Sequence, residues 1–201
     1  MKKKEYNFKE VFIHETSYVD ANVEIGERTK IWHFSHILKN CRIGPDCTFG
    51  QNVCIGPNVT IGKKVKVQNN VSIYDGVTLE DNVFCGPSCV FTNDKYPRSR
   101  LESSKETWLK TQVKSGASLG ANCTIICGIT IGSFALIAAG ALINTDIPAY
   151  ALIAGVPGKQ IGWVSEYGER LDLPLFGNAE TTCKYTHQKY QLNNDKVNRV
   201  K

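Results

Sequence analysis

An apolar residue returns every six positions through the first half of the chain, at Ile13, Val19, Ile25, Ile31, Ile37, Ile43, Phe49, Ile55, Ile61, Val67, Ile73, Leu79, Cys85 and Phe91. A second set of generally smaller residues follows four places later in each hexad up to Cys85, from Ser17, Val23, Thr29 and Ser35 through Cys41 and Cys47 to Val83 and Cys89. A helix would need apolar spacings of three and four, and a sandwich would need longer strands, so neither accounts for the pattern. A fixed short period marks a solenoid, whose units bury their apolar faces only by stacking on one another. Each hexad offers a short extended run and then a polar corner such as Gly44-Pro45-Asp46 or Gly56-Pro57-Asn58, so the chain turns every six residues.

The repeat breaks after Phe91 and resumes at Val113 in a new phase, with Leu119, Ile125, Ile131, Ile137 and Ile143 at six-residue steps. Residues 93–112 are therefore an excursion from one corner. Long loops in compact repeats are functional or disordered, and this one holds Tyr96, Pro97, Leu101, Trp108 and Leu109, the composition of an ordered arm that packs on a neighbour or covers a ligand. Residues 1–12 precede the repeat and bring Tyr6, Phe8, Val11 and Phe12 to cap the first coil. The repeat domain is expected over 13–160. Beyond it, Ile161, Val164 and Leu171 suggest a short helix, and from Leu173 a weakly ordered tail is expected to reach residue 201.

With 42% hydrophobic residues in 201, the chain is long enough for one continuous core. The basic start, Met1-Lys2-Lys3-Lys4, is followed by no apolar run of signal or membrane-spanning length, so a cytoplasmic protein without membrane contact is expected. The net charge of +5 is scattered over corners and tail, whereas nucleic acid favours a concentrated patch; a phosphate-bearing ligand and a plain solvated surface suit it equally. Of eight cysteines, Cys41, Cys47, Cys85, Cys89 and Cys123 fall on inward positions as small hydrophobes. Cys54 and Cys127 fall off them, no CxxC pair occurs, and Cys183 with His187 makes two ligands at most, so no metal site is expected.

The hexad resembles the [LIV]-G-x-x-[STAV]-x repeat of the left-handed parallel β-helix acyltransferases, in which three hexads close a triangular coil of about 18 residues. That resemblance implies an all-β, left-handed parallel β-helix of about six to seven coils and supplies its handedness, since parallel crossovers are otherwise right-handed. IWHFSHI at 31–37, QNNVSIYDGVTLEDNVFCGPSCVFTN at 68–93, SLGANCTIICGITIG at 118–132 and QIGWVSEYGERL at 160–171 are similar to sugar-nucleotide N-acetyltransferases. They resemble above all the enzymes acetylating UDP-2-acetamido-3-amino-2,3-dideoxyglucuronate for bacterial surface polysaccharide. NDKYPRS at 93–99 also resembles enzymes acting on dTDP-linked 3-amino-3,6-dideoxyhexoses, which leaves the nucleotide open.

Acetyl transfer from a thioester to an amine needs positioning and oxyanion stabilisation, not a metal. The resemblance implies acetyl-CoA as donor and places at Asn93 the carboxamide that meets the acceptor amine; Asp94 then binds a neighbouring hydroxyl or holds the loop. Gln68, Asn69 and Tyr74 are expected to line the sugar pocket. Trp32, His33 and Gln51 continue that column toward the nucleotide, and Arg98 suits a carboxylate or phosphate. Ala138, Ala139, Gly140 and Ala154 are small enough for coenzyme A to approach the backbone, with Lys159 near a phosphate. No histidine lies in the excursion, and His33 sits about three coils from Asn93, roughly 14 Å at ~4.8 Å per coil, so a reaction without a protein base is expected. A homotrimer with sites between subunits is expected, because one triangular prism offers no deep cleft while two create a groove for the pantetheine arm; the large apolar groups of the loop support it indirectly. Two competing readings are weaker. A zinc anhydrase on this fold needs three gathered histidines, and a bare scaffold explains neither the excursion nor its amides.

Overall fold

The computed structural model describes residues 8–100 and 108–200, in strands and turns without a helix. From Phe12 to Ala154 the chain is a parallel β-solenoid of about eight turns with three faces. The first face stacks Phe12–Ile13, Lys30–Ile31, Thr48–Phe49, Lys66–Val67, Phe84–Cys85, Ser118–Leu119, Leu136–Ile137 and Ala151–Ala154. The second face runs Tyr18–Val19, His36–Ile37, Cys54–Ile55, Ser72–Ile73, Val90–Phe91, Thr124–Ile125 and Leu142–Ile143. The third runs Glu24–Ile25, Arg42–Ile43, Thr60–Ile61, Val77–Leu79, Thr111–Val113 and Thr130–Ile131. The corner after each face builds a first, second and third edge along the solenoid. The expected six to seven coils fall short because the repeat survives the break at Pro148: Leu136 pairs with Leu152 and Ile137 with Ile153 on the first face.

The hexad explains the core. Strand alternation turns every sixth residue inward, and Ile31, Ile37, Phe49, Ile55, Val67, Ile73 and Leu119 are fully buried. The companion position must be small because it fills the inside of a corner, and where it is polar it bonds the next coil. Thr29 Oγ donates to the Gly44 carbonyl at 3.1 Å and accepts from the Cys47 amide at 3.2 Å. Ser35 does the same with Gly50 and Val53. Cys41 and Cys47, whose thiols burial pushes up to about 11, donate instead to the Gly56 and Gly62 carbonyls. Asn22, Asn40, Asn52, Asn58, Asn70 and Asn82 take the left-handed corner position at φ 57–62°, which asparagine tolerates better than branched residues.

The excursion leaves the second edge after Phe91 and returns at Thr111, so that Val77 pairs with Thr111 and the third face continues in register. The Leu109 amide donates to the Asn93 carbonyl at 3.0 Å, and Asp94 bridges Trp108, closing the loop at its base. Leu109 lies over Gly128, where a Cβ would come within 2.8 Å of Leu109 Cδ1. Tyr6 and Leu101, named above, fall outside the described residues, while Phe8 packs against the core.

The C-terminal segment differs from expectation. In place of a short helix, Lys159–Val164 folds back antiparallel on Ala151–Ala154 and Arg170–Leu171 continues the sheet. Trp163 and Val164 are consecutive and both 1% exposed, so the segment is covered on two sides and carries no helical stripe. The expected loose tail is an antiparallel meander of Ala179–Thr182, Lys189–Asn193 and Lys196–Arg199 with its own core of Cys183, Tyr190, Leu192 and Val197. Tyr190 meets Tyr150 edge-on at 5.8 Å, which covers the open end of the last coil as a solenoid requires.

Glu80 ties the third edge together where the excursion interrupts the winding. It accepts from Lys114 Nζ at 2.9 Å, Ser115 Oγ at 2.9 Å and the Ser115 amide at 3.1 Å. Burial pushes its carboxyl up, but Lys114 and Ser115 outweigh that and hold it below the usual carboxylate range. A depressed carboxyl stabilises the fold at neutral pH and loses that effect as pH falls through its folded pKa. Glu80→Ala is therefore expected to cost about 1–3 kcal/mol by urea unfolding at pH 7, with wild type and variant converging in acid below the carboxylate range. Equal stability at pH 7 would exclude this role.

Candidate active site

Trp32, His33, Gln51, Gln68 and Asn69 meet on the first edge, where with Thr48, Gly50 and Val67 they line a groove of about 330 Å³. The fold brings them together by 18-residue steps: Asn69 Oδ1 accepts from the Gln51 amide at 2.8 Å, the same corner one coil apart. That bond uses the carbonyl of Asn69 and leaves its NH₂ as the donor available to a ligand. Gly50 makes the arrangement possible, because a Cβ there would stand 2.4 Å from Asn69 Oδ1. Trp32 is 40% exposed, and its ring lies within 9° of parallel to that of His33.

Higher on the same edge the side chains disappear. A Cβ on Gly120 would come within 2.5 Å of the Ala139 amide nitrogen, and Gly140 (φ 72°) has nothing near its missing Cβ. Ala138, Ala139, Gly140 and Ala154 lie together beside a nearly bare backbone, the Ala138 amide donating to the Ile153 carbonyl next to Ala154. Lys159 pairs with Ala154 across the antiparallel turn, at the upper end of the same edge.

Tyr74, Asn93, Asp94 and Arg98 do not join them. Tyr74 follows Ile73 and Asn93 follows Phe91, so both stand on the second edge, across the second face from Gln68 and Asn69. The pocket expected to unite Gln68, Asn69, Tyr74 and Asn93 is therefore divided between two edges of one chain. Asp94 holds the loop, its Oδ1 accepting from the Tyr96 amide at 2.9 Å. Asn93 uses its backbone carbonyl in the loop base, and among the described residues nothing bonds its carboxamide. The Arg98 guanidinium donates to the Pro97 carbonyl at 2.8 Å and is exposed.

Counted in coils, Asn93 lies above the Trp32-to-Asn69 groove and below the bare stretch at Gly120 to Gly140. His14, His33 and His36 all belong to the first two coils, well below it. His187 sits in the meander, its amide donating to the Cys183 carbonyl, while the Cys183 thiol faces Glu169 Oε2 at 3.1 Å. No group of three or more metal-binding side chains gathers among the described residues. Sequence reasoning missed His14 and gave Phe12 to the cap of the first coil, whereas Phe12 faces outward, 44% exposed, and both rings brace the groove from the coil below.

Residues 22–57 match the bacterial transferase hexapeptide model, and residues 40–75 and 115–145 match the hexapeptide repeat of succinyl-transferase. A dTDP-3-amino-3,6-dideoxy-α-D-galactopyranose 3-N-acetyltransferase of Aneurinibacillus thermoaerophilus is 46% identical over 160 residues, 80% of this chain and 82% of that protein. The chain belongs to the hexapeptide-repeat sugar-nucleotide N-acetyltransferases. Solved structures of the same fold include a GDP-perosamine N-acetyl transferase variant from Caulobacter crescentus with CoA and GDP-perosamine, 21% identical with a TM-score of 0.54 over 77% of this chain and 57% of that one. The acetyltransferase domain of PglB from Neisseria gonorrhoeae with acetyl coenzyme A is 19% identical, with a TM-score of 0.51 over 77% and 60%.

Proposed function

We propose that the protein transfers acetyl from acetyl-CoA to the 3-amino group of a dTDP-linked 3-amino-3,6-dideoxyhexose, for bacterial surface polysaccharide. The 46% identity to the dTDP-aminogalactose enzyme favours this over the UDP-aminoglucuronate acceptor that several sequence runs resemble. The observation that carries the reading is the order of the site parts along the coil axis. An aromatic and amide groove suited to a nucleotide lies at one end, a bare backbone suited to a pantetheine arm at the other, and the Asn93 carboxamide between them in level. Cytoplasmic acetyl-CoA fits a reaction in that compartment.

Because those parts stand on two edges, the complete site needs two chains. The second face, between the edges, presents Tyr18, His36, Cys54, Ser72, Val90, Thr124 and Leu142 outward, with no Lys, Arg, Asp or Glu among them. The third face presents Glu24 and Arg42, and the first presents Lys30 and Lys66. Three copies turned with second faces toward a common axis bring the first edge of each against the second edge of the next, as a closed ring of identical contacts requires. Tyr96, 62% exposed at the loop, then has a neighbour to cover it.

In that groove the amine nitrogen attacks the thioester carbonyl, the C–S bond breaks, and the departing thiolate takes the proton released by the nitrogen. The Asn93 oxygen accepts from the amine N–H and aims its lone pair. A hexosamine amine beside electron-withdrawing ring substituents is partly neutral near pH 7, so little prior deprotonation is needed. Incubation with acetyl-CoA and a panel of dTDP- and UDP-amino sugars, following thiol release, tests the reading; turnover of none of them would overturn it. Arg98→Ala is expected to raise the acceptor KM several-fold with kcat nearly unchanged, the sign of lost uniform binding. A large drop in kcat at constant KM would reassign Arg98 to the chemical step.

A further inference from the structure

The lower end of the first edge carries more aromatic surface than a corner needs. Phe12, Trp32, His33 and His14 touch in series, with ring centroids 5.3 Å apart for Phe12 and Trp32, 6.2 Å for Trp32 and His33, and 3.5 Å for His33 and His14. His14 is held by a directed chain of hydrogen bonds. The Phe34 amide donates to Thr16 Oγ1 at 3.0 Å, and the Thr16 amide donates to His14 Nδ1 at 3.3 Å. Nδ1 accepts that bond, and the Thr16 hydroxyl lies 2.9 Å from the same nitrogen. Its backbone is fixed too, the amide donating to the Ile31 carbonyl at 2.9 Å. His14 is thus a flat ring clamped against the outer side of His33.

We propose that His14 is a positioning residue for the nucleobase: it holds His33 beside Trp32 as one stacking shelf over the Gln51, Gln68 and Asn69 amides. A planar heterocycle with carbonyl edges suits this surface, because the rings supply a face and the free NH₂ of Asn69 supplies a donor. The proposal rests on the nucleotide-sugar reading above and adds the base-stacking role of a residue that lines no part of the groove itself.

Calorimetric titration with dTDP, and separately with UDP and acetyl-CoA, compares wild type with His14→Phe, which keeps a flat ring, and His14→Leu, which fills the space without one. His14→Leu is expected to weaken dTDP binding about tenfold, the size of one loosened stacking contact. His14→Phe is expected to stay within about threefold of wild type, and acetyl-CoA affinity to hold in both. If the leucine variant does not fold, His14→Ala serves in the same comparison. Equal dTDP affinity in all variants, a phenylalanine variant as weak as leucine, or parallel loss of acetyl-CoA binding would each overturn the role. A wild-type protein that binds acetyl-CoA but neither nucleotide would overturn this role and the nucleotide-sugar reading together.

Discussion

Asn93→Ala is expected to lower kcat/KM for the amino-sugar acceptor by about ten- to a thousandfold, equivalent to roughly 1.4–4 kcal/mol of lost positioning. In the proposed site the carboxamide stands at the middle level, and among the described residues nothing bonds it, since the loop base closes through the Asn93 carbonyl and Leu109 amide instead. The variant should therefore keep its fold and its affinity for acetyl-CoA. His33→Asn, by contrast, should keep most of kcat. Even in an assembled trimer His33 of the adjoining edge stays about three coils, roughly 14 Å, below the level of Asn93. Steady-state kinetics on the two variants check both statements, and loss of turnover in His33→Asn with both substrates still bound would require a base delivered by His33.

Val90→Glu is expected to abolish assembly and with it at least about 99% of activity. Val90 is 47% exposed on the second face, and three carboxylates brought around one axis would be buried without partners, a cost of several kcal/mol for each interface. The strand itself should survive, since the outward side chain takes no part in pairing with Ser72 and Thr124. Light scattering should give the mass of one chain with an unchanged β-sheet circular dichroism spectrum. Thr60→Glu, on the third face, is the control and should leave mass and turnover intact. A variant Val90→Glu that remains oligomeric and active would remove the second face as the contact.

How much of this was legible in the sequence follows from what the hexad encodes. Its period constrains each residue to inside or outside and to one of three faces, so the core from Ile31 to Ile143 and the interrupting loop could be read directly. The same phase also distinguishes the edges, because Asn69 follows Val67 of the first face and Tyr74 follows Ile73 of the second. Reading only the level along the axis merged the two groups into one pocket. Beyond Ala154 the period no longer constrains the chain. There Ile161, Val164 and Leu171 fit a helix by spacing, yet the strand edge left open by Ala151–Ala154 captures the segment instead. His14 was invisible for a different reason: its ring contact with His33 crosses from one coil to the next, and no local motif announces it.

The central claim is that each active site takes its first edge from one subunit and its second edge from the next. Subunit mixing tests it most directly. Trp32→Ala/Asn69→Ala removes the first-edge groove, Asn93→Ala removes the second-edge amide, and each protein alone should be nearly inactive. Co-expressed in equal amounts, they should form mixed trimers in which about one interface in four joins an intact first edge to an intact second edge, restoring about a quarter of wild-type activity per site. Activity no higher than that of either parent, in trimers shown by mass spectrometry to be mixed, would contradict the claim.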